Sequence, residues 1–273
     1  LPGQVDAGLD IDDLESVMSL SLSFRERIRR RELLLGTFVK TAAYQVIEVL
    51  GAGGLDFVVI DAEHAPFDRN ALDVCVLAAR ASGLPALVRV PDDADSTILN
   101  VLDVGAAGVL VPHARSADDV RAVFRRSRYR GGVRGFSNSP RAGGYGRHGL
   151  SDLVDMADRD SVVICQIEDR EAIDALESIV AVDEVDCLFI GRADLAVSYG
   201  TFDVNHPSVD AAVRRTCEVA SQAGKAVGIF LSDLKDVARH REMGVSLFVI
   251  GSDQALLRAQ VASIAVQFGA LRG

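Results

Sequence analysis

The chain has 273 residues, 49% of them hydrophobic, enough apolar material for a large folded unit and too much for a disordered or fibrous one. Its 29 Lys and Arg face 39 Asp and Glu, a net charge of −10, which argues against nucleic acid or a membrane surface as partner. A small anion held by a few local cations or a metal is compatible with that balance. Cys75, Cys165, Cys187 and Cys217 form no C-x-x-C pair and have apolar neighbours, the pattern of buried free thiols in a reducing cytoplasm.

In chain order, residues 1–32 read as an acidic extension followed by a short basic helix over 24–31. The extension carries Asp6, Asp10, Asp12, Asp13 and Glu15 without Lys or Arg before Arg25, the opposite of a secretory start. From residue 33 a rhythm begins. Apolar, β-branched runs at 34–39, 56–61, 86–90, 108–112, 161–167, 187–190, 226–230 and 247–251 have the near-continuous hydrophobicity of parallel strands buried on both faces. Between them, Asp68 caps an expected helix through Leu72, Val76 and Ala79, with Gly83 as its stop. Ser116 with Asp119 resembles a capping box before Val120 and Phe124. Asp169 opens a helix through Ile173, Leu176 and Ile179, and Asp210 precedes one through Ala212, Val213 and Cys217. Eight strand–helix repeats without a composition break predict one (β/α)₈ TIM barrel over 33–273. A doubly wound sheet is the alternative, but no G-x-G-x-x-G follows the first strand. The Gly-rich stretch 129–149 is too long for an ordinary connection, and its length favours a substrate loop or lid over a plain surface loop.

Reactive groups of such a barrel gather at the C-terminal ends of its strands. Those ends hold Lys40, Asp61, Glu63, His64, Arg89, His113, Gln166, Glu168 and Asp194. Glu168 and Asp194 on neighbouring strands would repel unless one is protonated or a cation lies between them; oxygen ligands with room for water suit Mg²⁺ or Mn²⁺. The alternative is two independent acids, with Asp194 serving a helix N-terminus. Asp61-x-x-His64 would let a carboxylate fix the imidazole tautomer, whereas Glu63 should point away from His64 if the strand geometry continues. Arg89 inside an apolar strand needs a carboxylate or an anionic ligand, Asp61 and Glu63 being the structural options. Lys40 is placed for a Schiff base or for pairing with a rim acid.

At these residues the chain resembles the HpcH/HpaI aldolase family, the class II pyruvate-dependent aldolases of the HpcH/HpaI aldolase/citrate lyase superfamily. The shared stretches are Gly36-Thr37-Phe38, Asp61-x-Glu63-His64-Ala65-Pro66, Val88-Arg89-Val90-Pro91 and Leu102-Asp103-x-Gly105-Ala106. They continue with Val111-Pro112, Arg134-Gly135, Arg141-Ala142-x-x-Tyr145-Gly146, Gln166-Ile167-Glu168 and Gly191-x-x-Asp194-Leu195. The resemblance implies a metal-dependent lyase that cleaves 4-hydroxy-2-oxo acids to pyruvate, or a related 2-oxo acid, and an aldehyde. It implies Glu168 and Asp194 as ligands of Mg²⁺, Mn²⁺ or Co²⁺, Arg89 as stabiliser of the enolate, and His64 oriented by Asp61 as base. Gln166, Gly191 and Ala193 would hold the pyruvoyl part, Leu231 the aldehyde half, and Asp103 a subunit boundary of a homo-oligomer, a hexamer built as a trimer of dimers. Arg192 replaces the family's usual Pro and would bind a second carboxylate, close the site or point outward. Rival readings are a Schiff-base aldolase using Lys40, a lyase of malyl- or citryl-CoA type, and a barrel that binds a 2-oxo acid without turning it over.

Overall fold

The computed structural model describes residues 22–272. The expected extension over residues 1–21 lies outside them. Eight parallel strands close into a barrel in chain order: β1 (Leu34–Val39), β2 (Phe57–Asp61), β3 (Ala86–Arg89), β4 (Gly108–Val111), β5 (Val162–Ile167), β6 (Cys187–Ile190), β7 (Ala226–Leu231) and β8 (Leu247–Ser252). All eight predicted runs are strands, buried by the lumen on one side and for most of their length by helices on the other, with Leu35 of β1 left exposed.

Alternation along each strand divides the core in two. The inner cluster fills the lumen and includes Leu34, Phe57, Leu87, Leu110, Val162, Ile164, Phe189 and Val249. The outer cluster, with Val58, Val88, Val109, Leu188 and Ile229, packs under the helices. Burying a side chain of this size stabilises the fold by about 1.5–3 kcal/mol. Gly36 is needed beside Phe57, whose ring would lie 2.6 Å from any added Cβ.

The surrounding helices are α1 (Phe24–Arg29), α2 (Tyr44–Gly51), α3 (Arg69–Ala81), α4 (Asp95–Asp103), α5 (Ala117–Ser127), α6 (Leu150–Asp160), α7 (Arg170–Asp174), α8 (Leu176–Val180), α9 (Arg192–Ser198), α10 (Pro207–Gln222), α11 (Val237–Glu242) and α12 (Asp253–Gly269). Asp68 caps α3 through the Ala71 amide at 2.8 Å, as its sequence suggests. Ser116 caps α5 through Asp119 N, but the Asp119 carboxylate accepts from Arg115 N, so only half of the expected box forms. The single helix expected after Asp169 is two short ones separated at Ala175, and Asp169 makes no cap bond. Asp210 sits in the first turn of α10, which begins earlier, at Pro207 behind an N-cap His206.

Helix α1 closes the floor of the barrel. Ser23 and Glu26 form a complete capping box, and Ile28 joins the inner cluster from below. Its basic side is tied down by Asp186, fully buried just before β6, which accepts from Arg25 at 2.9 Å and from Arg29 at 2.7 Å. Arg128 lies 3.9 Å from the same carboxylate. Burial, with Arg25 nearby, pulls the Arg128 guanidinium down to about 10.

The stretch 129–149 is not a lid over this chain's own mouth. It follows α5 and leads to α6 and β5, so it belongs to the floor, opposite the strand C-termini. Arg134 binds Asp103 at 2.9 Å, and Arg141 binds Asp73 at 2.7 Å and the Val104 carbonyl at 2.8 Å. These contacts lash the stretch to the first half of α3 and to the C-terminal end of α4. A cavity of about 450 Å³ lies there, lined by Arg134, Ala142, Pro85, Ala107 and Ser161, away from the ionisable rim.

Candidate active site

The parity that fills the lumen continues to its mouth. Counting by twos from Phe57 and Val59 puts Asp61 inward. The same count puts Arg89 inward after Leu87, Gln166 and Glu168 after Ile164, Gly191 after Phe189, and Phe230 after Gly228. Lys40 follows Phe38 on β1. The polar layer capping the lumen is therefore a direct product of strand register, in which Asp61 stands level with Arg89.

One half of this layer is a charge network. Asp61 is fully buried and accepts from Arg89 Nε at 2.9 Å and Nη2 at 2.8 Å, a bidentate pair. Lys40 Nζ lies 3.1 Å from the same carboxylate, and the His64 backbone N–H donates to it at 3.1 Å. Burial works to raise the Asp61 pKa, but Arg89, the His64 amide and Lys40 hold it below the ordinary carboxylate value. Asp61 thus holds the backbone of His64 and not its ring, contrary to the sequence expectation. The partner of the ring is Glu63. The strand ends at Asp61 and a turn follows, so Glu63 does not point away: its Oε2 lies 3.7 Å from His64 Nε2 and 3.2 Å from Arg89 Nε. Arg89 also packs on the Phe38 ring, 4.6 Å from its centroid, and Phe38 meets Phe230 at 5.7 Å.

The other half is acidic. Glu168, 2% exposed, accepts from the His113 amide at 2.9 Å and from Gln166 Nε2. His113 reaches this position with φ +54, a left-handed conformation uncommon for a residue with a side chain. Its Nδ1 lies 2.9 Å from Asp169 and 3.5 Å from Glu168. Burial pushes the Glu168 carboxyl up to about 7, with Asp194 adding to the rise against the His113 and Gln166 hydrogen bonds. Asp194 is exposed in the first turn of α9, whose N-cap is Gly191. Beyond Glu168 a cavity of about 390 Å³ is lined by His113, Arg115, Asp169, Asp194 and Val197.

Three observations test whether this half suits a divalent cation. Glu168 is a buried carboxylate that no Lys or Arg neutralises within salt-bridge distance among the described residues. Gln166 Oε1 is buried without a hydrogen-bond partner. Gly191 keeps the space open, since a Cβ there would stand 2.6 Å from Glu168 Oε2 and 3.0 Å from Gln166 Nε2. The donors are hard oxygens, and among the described residues no three His, Cys, Asp or Glu side chains converge on one point. Hard oxygens with open positions beside them fit Mg²⁺ or Mn²⁺, ions that are commonly held by one or two carboxylates and keep several waters.

The remaining expected residues fall in three places. Gly191 and Gln166 face the mouth, and Ala193 is exposed beside it on α9. Arg192 turns outward, its Nη2 donating to the Val204 carbonyl at 3.1 Å and Asn205 Oδ1 at 2.8 Å. Leu231 is 3% exposed and belongs to the outer cluster, so the side chain presented to the mouth from β7 is Phe230, 38% exposed. Asp103 is at the floor, bound to Arg134. Phe230 was legible from the alternation of β7 alone; the clamp by His113, a backbone contact made through an unusual φ, has no sequence signal.

A closed parallel barrel with an ionisable layer at the strand C-termini is the architecture of a (β/α)₈ enzyme. Residues 34–259 match the model of the HpcH/HpaI aldolase/citrate lyase family, and the chain belongs to that family. It is 34% identical over 237 residues to a hydroxypyruvate/pyruvate aldolase of Paraburkholderia phytofirmans, covering 84% of this chain and 90% of that one. It is 31% identical over 247 residues to a 5-keto-4-deoxy-D-glucarate aldolase of an Enterobacter species, covering 90% of this chain and 96% of that one. A crystal structure of an HpcH/HpaI aldolase/citrate lyase family protein from Burkholderia cenocepacia superposes with a TM-score of 0.84 at 33% identity, covering 91% of this chain and 98% of that one.

Proposed function

We propose that the protein is a divalent-metal-dependent aldolase that cleaves a 4-hydroxy-2-oxo acid into pyruvate, or a related 2-oxo acid, and an aldehyde. The observation that carries this reading is the two-sided mouth: the Glu168–Gln166–Gly191 cradle beside Asp194 shares one lumen opening with Lys40, Asp61 and Arg89. Glu168 and Asp194 would hold the cation, which when bound supplies a Lewis acid for the 2-oxo group. Gln166 and the Gly191 backbone orient the pyruvoyl end. Arg89, fixed in its plane by Asp61, offers its Nη1 edge, which takes no protein partner among the described residues, to the negative charge that develops as the C3–C4 bond breaks. His64 takes the 4-hydroxyl proton; the electron pair of that O–H becomes the aldehyde carbonyl, and the C3–C4 pair passes to the enolate. A proton delivered to C3 completes pyruvate.

Lys40 Nζ is engaged by Asp61 at 3.1 Å, which supports the metal route over a Schiff base. The four cysteines are buried free thiols, in keeping with the reducing cytoplasm, and among the described residues no helix is long and apolar enough to cross a membrane. The test is pyruvate release from a panel of 4-hydroxy-2-oxo acids, with EDTA and then with Mg²⁺, Mn²⁺ or Co²⁺ restored. Turnover that vanishes with EDTA and returns with metal is expected. Turnover indifferent to EDTA would overturn the metal route and return the chemistry to Lys40.

A further inference from the structure

Arg192 turns away from the mouth and lines a second cavity, of about 250 Å³, where the first turns of α9 and α10 meet α11. Asn205, Asp210, Arg239 and His240 line it as well. Its charges do not balance. Both oxygens of Asp210 are taken, Oδ1 by Arg239 Nη2 and Oδ2 by Arg214 Nε at 2.9 Å. Arg192 has no carboxylate within salt-bridge distance among the described residues. Its Nη2 serves Val204 and Asn205, while Nε and Nη1 donate to no described protein group. Three guanidiniums thus share one carboxylate, a local field that attracts an anion to a chain of net charge −10. Beside these donors is an acceptor. His240 is 2% exposed, and its Nδ1 lies 2.8 Å from the Asp236 carbonyl oxygen, which can only accept, so Nδ1 carries the ring proton. Burial holds the ring below its ordinary pKa, against the pull of the Asp236 bond, and Arg192 and Arg239 lower it further. The ring is therefore neutral at neutral pH. Its other nitrogen, Nε2, is a bare lone pair that no protein donor meets among the described residues.

Donors and acceptor together select the ligand. A plain carboxylate would satisfy the guanidiniums but set another lone pair against Nε2. A carboxylate that also carries a hydroxyl satisfies both, its O–H donating to the imidazole. The volume falls below the ~300–1,000 Å³ of pockets for drug-sized molecules, so the ligand is small. We propose that this cavity is a binding site for a small hydroxycarboxylate, with its carboxylate on Arg192 and Arg239 and its hydroxyl on His240 Nε2. The site exists because residue 192 is arginine, since a proline there has no donor to offer. It uses neither Glu168 and Asp194 nor the Arg89 network, and so it stands apart from the aldolase reading.

The experiment is ¹⁵N NMR of the full chain, histidine-labelled and kept in EDTA, titrated with lactate and, separately, with propionate, which has the same charge and lacks the hydroxyl. Five histidines are present, and His240→Gln identifies the signals of His240. The free protein should show His240 as a neutral ring protonated on Nδ1. Lactate should move its Nε2 signal to lower frequency, as a lone pair does on accepting a hydrogen bond, and should bind about tenfold more tightly than propionate, the worth of one such bond. Arg192→Gln, a half-buried substitution that leaves the core intact, should weaken lactate by about tenfold or more, with its melting temperature as the control for folding. Because lactate also resembles a 2-oxo acid, the His240 signal is what locates it. Lactate that moves only the histidines of the mouth, His64 and His113, overturns the proposal. Equal affinity for propionate, an affinity for lactate unchanged in Arg192→Gln, or a free His240 ring protonated on Nε2 overturns it as well.

Discussion

Glu168 is an acid whose burial works against its own charge. Its folded pKa lies near 7, above that of an exposed carboxyl, so the folded state holds this proton more tightly than the unfolded chain. The contribution to stability is therefore present below the ordinary carboxylate range and is lost as pH rises through about 7. Glu168→Gln removes the ionisation, and Gln166, with Oε1 free, can turn its amide over to meet the new side chain. In EDTA the variant should melt several degrees above the wild type at pH 8 and within a degree or two of it at pH 5. His113, held above its ordinary value by Asp169 and Glu168 despite burial, titrates nearby and offsets part of the gap, while Asp194 enlarges it. Mn²⁺ at pH 8 should raise the wild-type melting point and leave the variant's unchanged. Differential scanning fluorimetry checks both; a wild type more stable than Glu168→Gln in EDTA at pH 8 contradicts the burial argument. Neighbouring residues show where sequence runs short. Asp61, Arg89 and Glu168 were legible because ionisable residues at the ends of apolar strands need partners. That Asp61 would hold a backbone amide, and that Glu63 would come within 3.7 Å of the ring, depended on the chain leaving β2 at Asp61 and turning.

At the scale of elements, the strands were legible because double burial makes each a continuous apolar run, and no other local force competes. The helices were less so. Asp169 follows the strand residues as a cap should, yet its carboxylate is taken by His113 and Arg115, and the helix behind it breaks at Ala175. The stretch 129–149 shows a different loss: its length suggested function, but its place between α5 and α6, in the connection leading to β5, puts it at the floor. Its anchors make a prediction. Arg134 is 7% exposed, bound to Asp103 and stacked on Tyr129 with 4.5 Å to the ring centroid. Arg134→Ala leaves Asp103 unpaired and opens this seam, so proteolysis and hydrogen exchange over 129–149 should accelerate at least tenfold while exchange in β1–β8 stays unchanged. Uniform acceleration across the barrel would show that the stretch is part of the global core.

At the scale of the molecule, α12 stands out. Of its seventeen residues Asp253 is the buried one, while Leu257 is 68%, Val261 57%, Ile264 56% and Val266 74% exposed. Leu33 and Leu35, at the start of β1, are exposed as well, where the helix following β8 would lie in a fully wrapped barrel. An apolar helix that leaves its own barrel bare calls for a second copy, and we propose a homo-oligomer in which α12 packs on its neighbour. Light scattering should give at least a dimer, with the hexamer as one such assembly; Leu257→Glu with Ile264→Glu should shift the mass toward the monomer. A wild-type monomer at micromolar concentration would refute the arrangement.

The latch at Asp186 bears on how the chain is made. Arg25 and its carboxylate are 161 residues apart in sequence. At ~5–20 residues per second, a ribosome takes on the order of 8–32 s to connect them. Throughout that interval Arg25 and Arg29 lack their shared carboxylate, and Ile28 and Phe24 have no lumen to enter. Helix α1 is thus among the last elements to find its place, and the barrel is sealed from below only as its sixth strand emerges.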